Sequence, residues 1–252
     1  MKVLVNGQLI EYKDEGKGTV VLLLHGWGSN LHTFDALATD LKKHHRVIRF
    51  DFSGMGASPK PDDSWGVSEY AQLTADFLKK LNVETVDVLV GHSFGGRVII
   101  KGFADSVLTA NKVILLGAAG PRSKETAKRI IFKALAKAGR VATSLPGIKK
   151  AQPALRRTLY GAAGATDYLD AGTMQKIFIN TVNEDLGPFV SAITVPTLMI
   201  WGENDDQVPV RVAESMQKMI AQSQLIVVPG AGHFVHEDDY SAVQKEIEAF
   251  LG

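Results

Sequence analysis

Short apolar runs recur along the chain, each followed by a glycine-rich or polar stretch and then by apolar residues at helical spacing. Val20 to Leu24 is a continuous apolar run, as expected of a strand buried on both faces of a parallel sheet, Val86 to Val90 reads as a buried strand, and Val47 to Phe50, Val113 to Leu116, Pro196 to Trp201 and Leu225 to Val228 read as further strands. Phe34 to Lys43, Val67 to Leu81, Val210 to Ile220 and Tyr240 to Leu251 instead place apolar residues three and four apart, which predicts amphipathic helices. At the start, Lys2 to Val5 and Leu9 to Tyr12 read as strands joined by Asn6-Gly7, a dipeptide suited to a tight hairpin turn. Strands alternating with helices predict an α/β fold, a mostly parallel sheet with helices on both faces.

Between residues 121 and 188 the alternation stops. No strand pattern appears, and Ala127, Ile130, Ile131, Ala134, Leu135 and Ala138 fall at helical spacing. Pro146-Gly147 breaks the segment, and further helical pieces are expected near 153–160 and 171–183. The pattern therefore divides the chain into a core, 1–120 with 189–252, and a helical insertion, 121–188. The insertion is expected at the C-terminal edge of the strands, where ligands bind in such sheets.

Chemistry enters at the end of the run Val86 to Val90. There the chain reads Gly91-His92-Ser93-Phe94-Gly95-Gly96 and passes into Val98-Ile99-Ile100. Gly-x-Ser-x-Gly between a strand and a helix is the pattern of a sharp turn that lifts a serine hydroxyl above the sheet edge. Gly91 and Gly95 would leave room for the strand and helix to pack at that turn. The helix start behind the serine supplies unpaired N–H groups for an oxyanion.

A serine needs a base, and the base needs an acid to orient it. Of the seven histidines, His233 lies in Pro229-Gly230-Ala231-Gly232-His233-Phe234, directly after the last strand and at the same predicted edge as Ser93. His44 and His45 end a surface helix, His25 reads as a support for its own loop, and His236 as a residue of the last helix start. His92 adjoins the serine, but neighbours at an elbow point in different directions. For the acid, Trp201-Gly202-Glu203-Asn204-Asp205-Asp206 follows the preceding strand, with Asp205 preferred and Asp206 second. The order Ser93, Asp205, His233 is that of serine hydrolases built on an elbow. Two backbone N–H donors are expected for the oxyanion. One is that of Phe94, and the other that of Trp27 in His25-Gly26-Trp27-Gly28, where Gly26 and Gly28 would let the backbone approach a substrate.

Together, His25-Gly26-Trp27-Gly28, Asp51-x-x-Gly54-x-Gly56-x-Ser58, Gly91-x-Ser93-x-Gly95-Gly96, Gly202-x-x-Asp205 and Gly232-His233 resemble the α/β-hydrolase fold superfamily over nearly the whole chain. The resemblance implies an eight-stranded, mostly parallel sheet with a cap domain over the site. Within the superfamily the chain looks most like small carboxylesterases and the hydrolases that cleave carbon–carbon bonds of ring-fission products. The latter usually carry Asn before the serine and often Trp after the histidine, where this chain has His92 and Phe234. Ser93 also sets it apart from the dehalogenases and epoxide hydrolases of this fold, which use an aspartate nucleophile.

Composition narrows the reading further. The 252 residues include no cysteine, which excludes disulfides, thiolate metal sites and a cysteine nucleophile and suits a cytoplasmic location. The formal net charge of +1 gives no global field for nucleic acid, and no apolar run is long enough to span a membrane. That balance hides an asymmetry: residues 121–160 hold eleven Lys or Arg against Glu125 alone. A solvated face explains such a run, and so does attraction of an anionic substrate, carrier partner or membrane surface. The glycine and tryptophan loop with a basic cap is similar to esterases acting on carrier-bound acyl methyl esters. The sequence thus predicts a serine esterase for small to medium acyl esters that uses Ser93, His233 and Asp205, with no cofactor and no metal. Two alternatives stay open, a carbon–carbon bond hydrolase and a slow-turnover ligand receptor of the same fold.

Overall fold

The computed structural model describes residues 1–121 and 171–252. The helical spacing from Ala127 to Ala138, the break at Pro146-Gly147, the helical piece at 153–160 and every charged residue of the basic run lie outside the described residues. Eight strands form one sheet in the order β1-β2-β4-β3-β5-β6-β7-β8. They are β1 (Lys2–Val5), β2 (Gln8–Gly16), β3 (Val20–Leu24), β4 (Arg46–Phe50), β5 (Val88–His92), β6 (Lys112–Leu116), β7 (Thr197–Gly202) and β8 (Ser223–Val228). From β4 across to β8 every neighbouring pair is parallel, whereas β2 runs antiparallel to both β1 and β4.

The described helices are α1 (Asp35–Leu41), α2 (Val67–Lys80), α3 (Phe94–Ala104), α4 (Gln175–Asn183), α5 (Val210–Gln217), α6 (Val235–Asp238) and α7 (Tyr240–Leu251). They cover both sides of the sheet, and the strand residues alternate between two apolar cores. Leu22, Leu24, Leu89, Leu115, Met199 and Trp201 pack with α2, α3 and α5. Val21, Leu23, Val90, Ile114, Leu116 and Ile200 pack with α1, α6 and α7. The continuous apolar runs of β3, β5 and β6 are therefore explained by burial on both faces, whereas β8, at the sheet edge, leaves Val227 exposed and Leu225 and Ile226 half-buried.

Local chemistry sets the element ends. Asn6 and Gly7 both have positive φ, 47° and 79°, as the two-residue hairpin between β1 and β2 requires. Glu69 accepts a hydrogen bond from Gly66 N at 2.7 Å at the start of α2, and Asp239 caps α7 by accepting from Ala242 N at 3.1 Å.

Several boundaries differ from the sequence reading; α1 stops at Leu41, two residues short of Lys43, and β8 begins at Ser223, two residues before Leu225. Strand β2 continues to Gly16 through Lys13, Asp14 and Glu15, because Arg46 and Arg49 of β4 pair with Asp14 and Glu15 across the ladder. Strand β5 runs two residues past Val90, so Gly91 and His92 are still strand. Helix α5 stops at Gln217, three residues short of Ile220. Within 171–183 a 3₁₀ turn, Gly172–Met174, precedes α4. Among the described residues, no helix is long and apolar enough to cross a membrane.

Candidate active site

Ser93 sits between β5 and α3 with φ 47° and ψ −104°. A side-chain-bearing residue in that region costs about 1–3 kcal/mol and persists only where its surroundings over-determine it. Here they do. Ser93 N donates to Leu116 O of β6 at 3.0 Å, and Ser93 O accepts from Ala119 N at 3.1 Å and Gly96 N at 3.1 Å. Gly95 lets α3 start directly against β3: a Cβ on it would lie 2.7 Å from Leu24 C. The close packing expected of the elbow glycines is thus present, and Phe94 opens α3 with its N–H in the turn that no preceding carbonyl can satisfy.

His233 and Asp205 arrive from the loops after β8 and β7, the last two strands of the sheet. His233 Nδ1 lies 2.8 Å from Asp205 Oδ2, and both residues are buried. Asp205 Oδ1 accepts from Gln207 N at 2.9 Å and Val208 N at 2.7 Å, which fixes the carboxylate plane. Since a carboxylate accepts, the His233 proton resides on Nδ1 and its Nε2 keeps a lone pair. Gly117 joins this pair to the elbow. It falls between the residues that bond the Ser93 backbone, and a Cβ on it would lie 3.2 Å from Asp205 Oδ2 and 3.4 Å from His233 Nδ1. Asp206, the second candidate for the acid, is exposed.

The loop carrying Trp27 lies against the elbow. A Cβ on Gly26 would be 2.8 Å from His92 Nδ1 and 3.5 Å from Ser93 Cβ. The physical need at Gly26 is therefore close approach to the elbow itself, and at Gly28 it is a positive φ of 69°. The Trp27 ring stands edge-on to Phe94 at 5.3 Å and meets Phe178 of α4 at 5.2 Å. Two buried groups hold this loop. His25 Nδ1 donates to Gly26 O at 2.7 Å while its Nε2 accepts from Phe52 N at 3.1 Å, the supporting role expected of it. Burial pushes the His25 imidazole down to about 4, so it works as a neutral ring. Asp51 accepts from Leu31 N through Oδ1 and from Ala57 N through Oδ2, each at 2.7 Å, and so ties the loops after β3 and β4 together.

Two residues near Ser93 have contacts that the sequence did not signal. His92 does not point away into the strand's surroundings alone: its Nε2 lies 3.1 Å from His233 O. Arg97, one helical turn after Ser93, is buried and donates to Gly120 O at 3.4 Å, Thr181 O at 2.7 Å and Glu184 O at 2.5 Å. It thereby holds α4, and with it Phe178, against α3. Burial lowers Arg97 to about 10, offset in part by the nearby Glu184 and Asp185 charges. Among the described residues no set of three His, Asp or Glu side chains is grouped to hold a metal ion.

Chemically, the arrangement offers an elbow serine, an imidazole with a free Nε2 and an oriented carboxylate, beside a glycine-flanked loop and a helix N-terminus. Known proteins resemble it along its full length. The chain is 29% identical over 260 residues to 2-hydroxy-6-oxo-6-(2'-aminophenyl)hexa-2,4-dienoic acid hydrolase of Metapseudomonas resinovorans, covering 95% of this chain and 87% of that one. It is 24% identical to the esterase YbfF of Escherichia coli, covering 100% and 99% of the two chains. The fold matches the crystal structure of the enol-lactonase from Burkholderia xenovorans LB400 with a TM-score of 0.76 at 20% identity, over 100% of this chain and 99% of that one. The profile of the alpha/beta hydrolase family matches residues 21–245, and the chain belongs to that family.

Proposed function

We propose that the protein is a serine hydrolase that cleaves carboxylic esters through an acyl-enzyme. The observation that carries this reading is the Asp205 Oδ2 to His233 Nδ1 contact of 2.8 Å, made beside a serine strained at a strand-to-helix elbow. His233 takes the Ser93 proton through Nε2 as the hydroxyl attacks the ester carbonyl. The N–H groups of Phe94 and Trp27 stabilise the tetrahedral oxyanion. His233 then returns the proton to the departing alcohol, and a water activated by the same ring releases the acid. Asp205 holds His233 in the Nδ1–H tautomer and stabilises its cation. Similarity to the esterase YbfF supports the ester reading.

Carbon–carbon bond hydrolysis is the second reading, supported by similarity to the dienoic acid hydrolase of Metapseudomonas resinovorans and to 2-hydroxy-6-oxo-2,4-heptadienoate hydrolase of Pseudomonas putida. Against it stand His92 and Phe234, where the carbon–carbon hydrolase pattern that this sequence resembles usually has Asn and often Trp. For the basic run of residues 121–160 we propose attraction of an anionic substrate or partner.

One panel tests these readings: p-nitrophenyl esters of graded acyl length, and a coloured dienol ring-fission product, each with wild type and Ser93→Ala. Ester turnover that Ser93→Ala abolishes without lowering the thermal midpoint is the expected result. Full activity in Ser93→Ala sinks the mechanism. Faster turnover of the dienol than of any ester selects the second reading, and a few turnovers per minute on everything selects the slow receptor. Indifference of kcat/KM to ionic strength removes the role given to the basic run.

A further inference from the structure

Three buried imidazoles crowd the end of β5. The His92 ring lies 4.9 Å from that of His233, 4.6 Å from that of His236 and 5.1 Å from the Phe234 ring. Hydrogen bonding assigns the proton on two of them. His92 Nε2 faces the carbonyl of His233, which can only accept, so Nε2 carries the hydrogen. Thr33 Oγ1 donates to Glu237 Oε1 at 2.6 Å and so accepts from His236 Nε2 at 3.3 Å, which places that ring's hydrogen on Nε2 as well. Each ring is left with an Nδ1 lone pair, buried and met by no donor among the described residues.

We propose that His92 is a positioning residue for His233, its neutral Nε2–H pinning the carbonyl of the base to the strand that carries the nucleophile. The proposal rests on the reading of Ser93 and His233 as nucleophile and base. Asp205 fixes only one end of the His233 side chain, at Nδ1. A ring held at that point can still tilt if its backbone shifts, and its Nε2 then leaves the line to Ser93. His92 closes this freedom from the other end. It neighbours Ser93 in the chain, grips the His233 carbonyl and abuts Gly26 of the oxyanion loop through Nδ1. One side chain thus references base, nucleophile and oxyanion loop to one another. Misplacement of a reacting group by about 1 Å costs on the order of 10²-fold in rate, so such a reference has a measurable effect.

The ring must stay neutral to do this beside the base. The titratable groups that face it are His233 and His236 from the loop and helix after β8 and His25 after β3. Burial first, and then repulsion from His236 and His233, hold its ionisation well below that of a free imidazole. No second cation is therefore placed against His233 while it accepts the serine proton.

The test compares wild type, His92→Leu, which removes the donor, and His92→Gln, whose amide nitrogen can reach the Nε2 position. The readout is the second-order rate at which a fluorophosphonate labels Ser93, followed by mass spectrometry, together with kcat and KM on the best ester of the panel. We expect His92→Leu to label and turn over about 30–100-fold more slowly with KM within about twofold of wild type, and His92→Gln to recover most of that loss. Wild-type labelling in folded His92→Leu, or a folded His92→Gln no better than Leu, overturns the proposal. A wild-type Ser93 that does not label overturns the site reading and this proposal with it. If His92→Leu does not fold, imidazole ¹⁵N shifts of the wild type decide. A neutral ring protonated at Nε2 from pH 6 to 8 supports the pin, and a proton on Nδ1 overturns it.

Discussion

At Asp205 one carboxylate oxygen accepts two backbone N–H groups and the other accepts the His233 Nδ1–H. This division makes Asp205→Asn a sharper probe than Asp205→Ala. The amides of Gln207 and Val208 will claim the asparagine oxygen, so its NH₂ must face Nδ1. His233 is then forced into the Nε2–H tautomer, and the atom that should accept the serine proton already carries one. We expect kcat on esters to fall on the order of 10³–10⁴-fold with little change in thermal midpoint; steady-state kinetics with a melting curve checks both. The placement of Ser93 at the turn after β5, and of Asp205 and His233 in the loops after β7 and β8, was legible in the sequence because glycine-flanked motifs mark the ends of those strands. His92 was not legible in the same way. Its partner is a backbone carbonyl 141 residues away, and a carbonyl leaves no trace in residue identity.

Helix α4 is held over the site by few but specific contacts. Arg97 donates to the carbonyls of Thr181 and Glu184 at its C-terminal end, Asn180 Nδ2 reaches Trp65 O at 3.1 Å, and Phe178 rests on Trp27. Removing the guanidinium strands buried carbonyls at a cost of roughly 1–3 kcal/mol each. Arg97→Met should therefore lower the melting temperature by about 5–10 °C and raise KM more than it lowers kcat, because α4 loosens while Ser93, His233 and Asp205 keep their own bonds. Arg97→Lys, with a single compact donor group, should recover part of the loss. Calorimetry with ester kinetics separates these effects; an unchanged KM in Arg97→Met would show that α4 does not border the substrate. The elements themselves were readable where burial alone shapes them, as in β3 and β6. Reading failed where tertiary partners override local pattern. The charged half of β2 is a strand because Arg46 and Arg49 neutralise it, and the last two residues of β5 pair with Leu115 and Leu116 despite a glycine.

Across the whole molecule, burial of imidazoles sets the response to acid. His25 and His236 are held down to about 4, mainly by burial, and His92 is displaced in the same direction. The unfolded chain takes up these protons near pH 6.5 and the folded one does not, so the stability they contribute is complete above about pH 6.5. It is lost progressively as the pH falls toward 4, by roughly 2 kcal/mol for each of His25 and His236 at pH 5. Urea midpoints should be level from pH 8 to 7 and fall clearly by pH 5; a flat profile to pH 4.5 would contradict the neutral rings. The sheet order carries one more consequence. Ser93 follows β5, paired on both sides by β3 and β6, whereas His233 follows β8, which among the described residues is an edge strand paired only with β7. Opening an edge strand breaks one ladder and opening an inner strand breaks two, so the two groups ride on elements of unequal local stability. Heat or denaturant will therefore part His233 from Ser93 by fraying at β8 while the centre of the sheet is still folded; if the two act as proposed, the protein will fall silent before it melts.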